Sequence, residues 1–576
     1  MMGIKPIIGC EVYVAARTRF DKESGIDNKR THLTLLAQTQ EGYHNLMKLV
    51  SIANTEGFYY KPRVDKELLE KYGKGIIALT GCLASRFNRL LMQNKDEEAK
   101  EWLKFLKGCF NEVYVEVMRN GVEESDKLIP KQVAIANELG LKYIATVDAH
   151  YLEKEDYKIQ EIAWCISDGK KLNDPERRQY PSTEFYLKST EEMVELFADY
   201  PEAISNTVEL ADKIEEYGVE FVRVQPQFHP GAKAEKVKNE LRKMVMSKVG
   251  NRYETTTEEI QKRIDYELAI IDQKGYNDYF LVVQDYIDWA RKQGILVGPG
   301  RGSGAGSVVA YILGITNLDP FRWDLIFERF LNPERPSPPD FDVDFQDDRR
   351  DELFTYMREK YGNENTSFIG TFGRLKTKAA IRDVARVMGI DLATADRLSK
   401  MVIVKFGKVY PIAKMRAEVA EFDEMIKSSP DLEQLAKYVA KLENVARHIS
   451  IHACGYLVTP TPVIDYVPIQ IETKEGNKLI TQYEGMHLEP IGLMKFDFLG
   501  LTNLTIISKC LSLIKKKHHI EIDIDNISFE DELTYKLFQQ GNTAGIFQFE
   551  SDGMRKYLKY LKPTNMEDLI VLNDAY

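Results

Sequence analysis

The chain has 576 residues, enough for several domains with separate cores. Its 89 acidic and 78 basic residues leave a net charge of −11, which excludes a uniformly basic nucleic-acid-coating protein but not a local basic surface. Six scattered cysteines with no C-x-x-C pair, no secretory leader and no apolar run of spanning length exclude a disulfide scaffold and a membrane protein, and point to a reducing, cytoplasmic setting.

In chain order, the first 150 residues read as strands alternating with helices, an α/β barrel-like domain. Residues of metal-ligating type fall where apolar runs begin or stop, which predicts strand ends. Glu11 follows the run 6–10, His32 opens His-Leu-Thr-Leu-Leu, Cys82 follows 76–81, and Asp148 and His150 follow 143–147. Strand C-termini collect sites in such folds, and a His/Cys/Asp/Glu set suits Zn²⁺ or Mn²⁺ better than Mg²⁺. Taken singly, each is an ordinary core or edge residue. His44, in Gly-Tyr-His-Asn-Leu, reads as a surface helix residue, and the stretches 166–182 and 225–231 read as linkers.

Next comes Gly298-Pro299-Gly300-Arg301-Gly302-Ser303-Gly304-Ala305-Gly306-Ser307, after a strand end at 294–297 and before an apolar helix start at 308–313. Glycines let backbone N–H groups approach an anion, and a following helix N-terminus favours negative charge. Arg301 and the serines add donors. Neither G-x-G-x-x-G nor a Walker Lys-Ser/Thr is present, which leaves a dinucleotide fold and a P-loop ATPase unsupported. A flexible surface loop is the alternative. Arg329 and Arg335 follow in FERFLNPER (327–335), either for phosphate or for salt bridges to Glu328 and Glu334.

Pro339-Asp340-Phe341-Asp342-Val343-Asp344-Phe345 alternates acid with apolar residue. As a strand it places Asp340, Asp342 and Asp344 on one face and Phe341, Val343 and Phe345 on the other. Crowded carboxylates repel unless a cation neutralises them, and oxygen-only ligation suits a hard ion such as Mg²⁺. A solvated edge strand is the alternative, and the apolar face argues against it. Residues 371–408 hold nine Lys/Arg against three Asp/Glu. Arg374, Lys378 and Arg382, spaced by four, share a face if helical and could track a phosphate backbone. Lys495-Phe496-Asp497-Phe498-Leu499-Gly500-Leu501 repeats the alternation with Lys495 and Asp497 on one face. Two such strands side by side give a three-carboxylate platform of the kind two-metal phosphoryl transfer needs.

The blocks GPGRGSGAGS (298–307), FERFLNPER (327–335), PPDFDVDF (338–345), KFDFLGL (495–501) and GIFQFES (545–551), with Gly553-Met554, resemble in order and spacing the bacterial replicative polymerases of the DNA polymerase III alpha, or C-family, type. The resemblance implies an α/β multidomain fold. It implies an incomplete PHP-type α/β barrel (1–165), a connection (166–210), a polymerase-beta-like palm in two parts (211–371 and 451–502), a helical thumb (372–450) and the start of the fingers (503–576). It implies template-directed DNA synthesis with Asp340, Asp342 and Asp497 as catalytic metal ligands for two Mg²⁺ ions, and Asp344 in a structural role. Arg301, Gly302, Ser303, Arg329, Arg335 and Lys495 then face the triphosphate. Glu11, His32, Cys82, Asp148 and His150 match PHP ligand positions.

The family's leading His-x-His strand precedes residue 1, and 573–576 stops inside a family motif. The expectation is therefore a piece of a larger enzyme whose PHP cluster is short of ligands and holds Zn²⁺ or Mn²⁺ weakly. Implied partners are primer-template DNA and deoxynucleoside triphosphates and, for the full-length protein, a sliding clamp, clamp-loader and proofreading subunits. Two rival classes remain: an untemplated nucleotidyltransferase, against which the basic block and PHP-like front argue, and a scaffold without chemistry, against which the acidic cluster argues.

Overall fold

A computed structural model describes residues 3–218, 223–334, 338–405, 407–474 and 476–576. The chain divides into two units, each assembled from separate stretches. The first takes 1–222, 367–452 and 461–492; the second takes 223–366, 453–460 and 493–576.

In the first unit β1 (Gly9–Ala15), β2 (Arg30–Ala37), β3 (Arg63–Val64), β4 (Ile76–Leu79), β5 (Glu112–Met118) and β6 (Lys142–Thr146) form one sheet in the order β3-β1-β2-β4-β5-β6. The pairs β1–β2 and β2–β4 are antiparallel and the others parallel. Val12, Val14, Leu33 and Leu35 alternate into a core closed by helices such as Gln40–Thr55 and Glu123–Leu139. The former starts at Thr39, whose side chain accepts the Gly42 N–H and so satisfies one of the helix's unpaired donors. Glu11 and His32 lie inside β1 and β2 rather than at strand ends, because the two strands pair antiparallel along their full length, with Glu11 opposite Thr34 and Tyr13 opposite His32.

The remaining strands are β7 (Asp342–Gln346), β8 (Thr366–Arg374), β9 (Val404–Lys405), β10 (Lys408–Val409), β11 (Ala446–Val458), β12 (Ile469–Glu472), β13 (Lys478–Glu484) and β14 (Lys495–Leu501). In the first unit β12 pairs antiparallel with β13, which runs parallel to β8. Helix Gln40–Thr55 packs on these strands: Ser51 Oγ accepts the Ile469 N–H at 3.0 Å, and the Tyr43 and Tyr483 hydroxyls meet at 2.9 Å. Helices Thr377–Met388, Leu392–Met401 and Pro430–Leu442 share a separate core around Ile381, Val384, Leu398 and Val439.

The expected shared face of Arg374, Lys378 and Arg382 does not form. Arg374 ends β8 and pairs with Glu484 at 2.8 Å, and the helix begins only at Thr377. Lys378, Arg382 and Arg386 keep the four-residue spacing within that helix, with Arg382 paired to Asp396 at 2.8 Å.

In the second unit β14 pairs antiparallel with residues 455–457 of β11 and parallel with β7. Beneath them runs helix Asn277–Lys292. Tyr279 stacks on Phe341 and Phe496 with centroids at 5.9 and 5.4 Å, and Tyr286 meets Phe498 edge-on at 4.9 Å. Phe345, Phe496 and Phe498 are fully buried, so one face of each strand is fixed to an aromatic core. The Tyr279 hydroxyl accepts the Phe341 N–H at 3.1 Å, whereas the buried Tyr286 hydroxyl has no hydrogen-bond partner among the described residues. No helix among the described residues is long and apolar enough to cross a membrane.

This core makes two substitutions differ in sign. Phe498→Ala empties the space between the strands and Tyr286 and should cost about 3–5 kcal/mol. Tyr286→Phe removes a hydroxyl buried without a partner and should leave stability unchanged or raise it. Urea unfolding followed by near-ultraviolet circular dichroism reads both.

Candidate active site

The register of β7 and β14 builds the acidic face. Asp497 stands directly opposite Asp342 in the parallel pair, and Asp340 lies just before β7, which begins at Asp342 rather than spanning the whole acidic run. Carboxylate oxygens of Asp340, Asp342 and Asp497 all lie within 4.8 Å of one another. The Asp497 side chain is nine-tenths buried; its Oδ2 accepts from Lys495 Nζ at 2.6 Å, and its Oδ1 has no hydrogen-bond partner among the described residues. A buried carboxylate oxygen without a donor is costly unless a cation serves it, and three carboxylates supply the oxygen-only set that a hard divalent ion takes. Asp340 has its pKa pushed up by burial, with Asp497 and Asp342 adding and Lys495 opposing. Lys495 has its pKa pushed up as well: burial works to lower it, and its contacts with Asp497 and Asp340 prevail.

The glycine loop is tied to this face rather than mobile on the surface. Gly298 N–H donates to the Asp344 carbonyl at 2.8 Å, and Val297 bridges to Phe345. Gly302 has φ +67°, and a Cβ placed on it would stand 3.6 Å from Asp342 Oδ2, so loop backbone reaches the acidic face here. A Cβ on Gly304 would come within 2.7 Å of Phe341, which fixes that position as glycine by close approach. Arg301 Nε lies 3.5 Å from Asp344 Oδ2, and Ser303 is exposed.

The expectation that the next helix offers its N-terminus to an anion is corrected. Helix Val308–Leu313 starts against the buried Glu267 carboxylate, which accepts the Val308 and Val309 N–H groups, each at 3.0 Å, and the Ser307 hydroxyl at 2.8 Å. Arg263 pairs with the same carboxylate at 2.8 Å. The chain's own carboxylate thus consumes the donors that an external phosphate would use. Arg329 is exposed and has no ion pair among the described residues, while its neighbour Glu328 takes the Tyr266 hydroxyl at 2.6 Å. Arg335 lies outside the described residues.

In the N-terminal sheet, ligating atoms of Glu11, His32 and Cys82 lie within 4.8 Å of one another. His32 Nδ1 is 3.0 Å from Glu11 Oε1 and 3.5 Å from Cys82 Sγ. Asp148, held at φ +54°, has its carboxyl pushed up by burial and is not part of that three-residue cluster. His150 is not part of it either: its Nδ1 lies 2.6 Å from the Asp148 carbonyl and 3.9 Å from Asp148 Oδ1, and its ring packs against Tyr180 and Phe185. Burial, with Asp148, Glu11 and Glu116 nearby, pushes the Cys82 thiol up to about 12.

Glu116 escapes the sequence reading. It is fully buried on β5, and its carboxylate accepts the Gly81 N–H and, at 3.1 Å, the Thr146 hydroxyl. Burial raises its pKa to about 7, with Asp148 and Glu11 adding. The signal for it is a lone acid in the apolar run Val113–Met118. Glu267 and Tyr279 carry no comparable signal, because their partners are distant in sequence.

Three family models match the chain. They are the bacterial DNA polymerase III alpha NTPase domain over residues 239–500, the PHP domain over 1–120 and the bacterial DNA polymerase III alpha subunit finger domain over 503–574. The DNA polymerase III subunit alpha of Treponema pallidum is 42% identical over all of the chain and 49% of its own length. Those of Borreliella burgdorferi and Thermus aquaticus are 41% and 39% identical, again over all of the chain and over 50% and 52% of their own lengths. The chain belongs to the bacterial DNA polymerase III alpha family, and it spans about half the length of the curated relatives it matches.

The raised pKa of Glu116 sets a pH dependence. The stability it contributes is fully present below the unfolded value near 4.5 and is lost as pH rises through about 7. Glu116→Gln keeps an acceptor for Gly81 without the buried charge. Measured in chelator, its melting temperature relative to the parent should rise between pH 5 and pH 8, most of the rise falling below pH 7. A difference that does not change with pH would exclude a titrating Glu116.

Proposed function

We propose that the acidic face of β7 and β14 is the palm of a DNA-directed DNA polymerase, which adds deoxynucleotides to a primer 3′-hydroxyl under direction of a template in chromosomal replication. The observation that carries this is the convergence of Asp340, Asp342 and Asp497 within 4.8 Å, with Asp497 Oδ1 buried and unpartnered. These three residues would hold Mg²⁺. When bound, a pair of such ions supplies the Lewis acidity that eases deprotonation of the attacking hydroxyl and neutralises charge on the leaving pyrophosphate.

The chain's own groups do the rest. Gly302 brings loop backbone beside Asp342, the exposed Ser303 next to it offers a hydroxyl donor, and Arg301, Arg329 and Lys495 supply positive charge toward the triphosphate. Arg335 is assigned the same role from its place in FERFLNPER. The buried Glu267 contact holds the loop's exit rigid, which favours a preformed phosphate site.

The same reading assigns a PHP domain to 1–165, palm to 211–371 and 451–502, thumb to 372–450 and the first part of the fingers to 503–576. Primer-template DNA and deoxynucleoside triphosphates are the substrates. A sliding clamp, clamp-loader and proofreading subunits are the partners of the full-length protein, in the cytoplasm. The convergence of Glu11, His32 and Cys82 favours a second site of softer chemistry, for Zn²⁺ or Mn²⁺.

Primer extension tests the palm: templated addition supports it, untemplated addition points to a transferase of another kind, and no addition by the full-length protein refutes it. In active protein, Asp342→Asn should abolish addition. Ser303→Ala should raise the KM for nucleotide about tenfold, the worth of one hydrogen bond to a charged group, with kcat little changed. Equal small effects of both would refute this division of roles.

For the second site, metal analysis after dialysis should find Zn²⁺ retained weakly and below one per chain, and less still in Cys82→Ala. Tight stoichiometric retention would instead mean a complete site and a working phosphoesterase or exonuclease centre.

A further inference from the structure

The acidic face already holds a cation, and it belongs to the chain. Lys495 Nζ lies 2.6 Å from Asp497 Oδ2 and 3.4 Å from Asp340 Oδ2, so one ammonium spans two of the three carboxylates. Lys495 and Asp497 are two residues apart on β14 and share its acidic face, so the lysine cannot leave the neighbourhood. Its side chain is about one-third exposed and its stem is long, so the ammonium can turn outward. On the opposite flank Arg301 neutralises Asp344, which leaves Lys495 as the near counter-ion of Asp340 and Asp497.

A divalent ion taken by Asp497 and Asp340 and an ammonium at these distances compete for the same oxygens. The two positive charges would also repel at close range.

We propose that Lys495 is an exchangeable internal counter-ion: it neutralises the acidic face before nucleotide arrives, yields the Asp497 and Asp340 oxygens to the divalent ion, and passes to the phosphates that enter with it. The inference rests on the palm reading above and extends it. Its consequence is that metal alone binds the face poorly, and that metal and triphosphate load together. The triphosphate brings negative charge that receives the displaced ammonium, so each ligand helps the other by the same factor.

The test is Mn²⁺ binding to the whole chain, read by electron paramagnetic resonance with neither DNA nor nucleotide present, so that no turnover is involved. The ion in question is the one that Asp497→Asn removes. Lys495→Met should bind that ion about five- to tenfold more tightly than the parent, a factor in the ordinary range of linkage. Lys495→Arg, which keeps the charge, should bind it as the parent does.

Adding a non-hydrolysable deoxynucleoside triphosphate should tighten Mn²⁺ binding more in the parent than in Lys495→Met. If Lys495→Met loses its folded melting transition, Lys495→Gln carries the same comparison. Equal or weaker Mn²⁺ binding without the lysine charge overturns the counter-ion role and leaves the palm reading standing. If Asp497→Asn removes no ion even from the Lys495→Met protein with triphosphate present, the palm reading itself is overturned.

Discussion

Like charges forced together on one face of a sheet are the constraint on which the second unit depends. The parallel register that sets Asp497 opposite Asp342 cannot be relaxed by sliding, because a one-residue slip would turn Phe341, Val343 and Phe345 to solvent and the aspartates into the aromatic core. The apolar face therefore holds the acidic face in place. Tyr279 and Tyr286 grip the strands from below, and the repulsion above is met by Lys495 and Arg301. The site is stable to the extent that its own cations, or others, sit on it.

The two clusters handle charge differently. The acidic face of β7 and β14 is all oxygen and carries an ammonium from its own strand. The N-terminal cluster mixes carboxylate, imidazole and thiol, with His32 Nδ1 3.0 Å from Glu11 Oε1. Beneath it Glu116 is driven toward the neutral form by burial, and the Cys82 thiol is held protonated by the same surroundings. Ligands of the first kind bind a cation without giving up protons at neutral pH, whereas a thiol must lose its proton to ligate.

Much of this was legible in the sequence because the period of two reports both faces of a strand at once. The runs 339–345 and 495–501 announced a core side and an acidic side, and the structure places them next to each other. The rung on which they meet was not legible, since nothing local distinguishes parallel from antiparallel pairing here. Spacing by four misled for Arg374, because a pattern that fits a helix does not say where the helix starts, and β8 runs through that residue. The glycine loop was readable as a special backbone. The occupant of the following helix N-terminus was not, because Glu267 lies 40 residues from Ser307 in sequence. His150 shows the same limit: a strand end places a residue near a site, and its ring then turns to the Asp148 carbonyl and to Tyr180 and Phe185.

The second unit is discontinuous, and this bears on synthesis. Asp342 and Asp497 share a rung although about 150 residues separate them, and most of the intervening chain belongs to the first unit. At ordinary elongation speeds β7 leaves the ribosome on the order of ten seconds before β14 exists to pair with it. During that interval it is an unpaired strand with an aromatic face, the kind of segment that adds to other chains. Charges set at every second position are the usual defence against such pairing. Asp340, Asp342 and Asp344 give the unpaired strand that spacing of charge before β14 has been made.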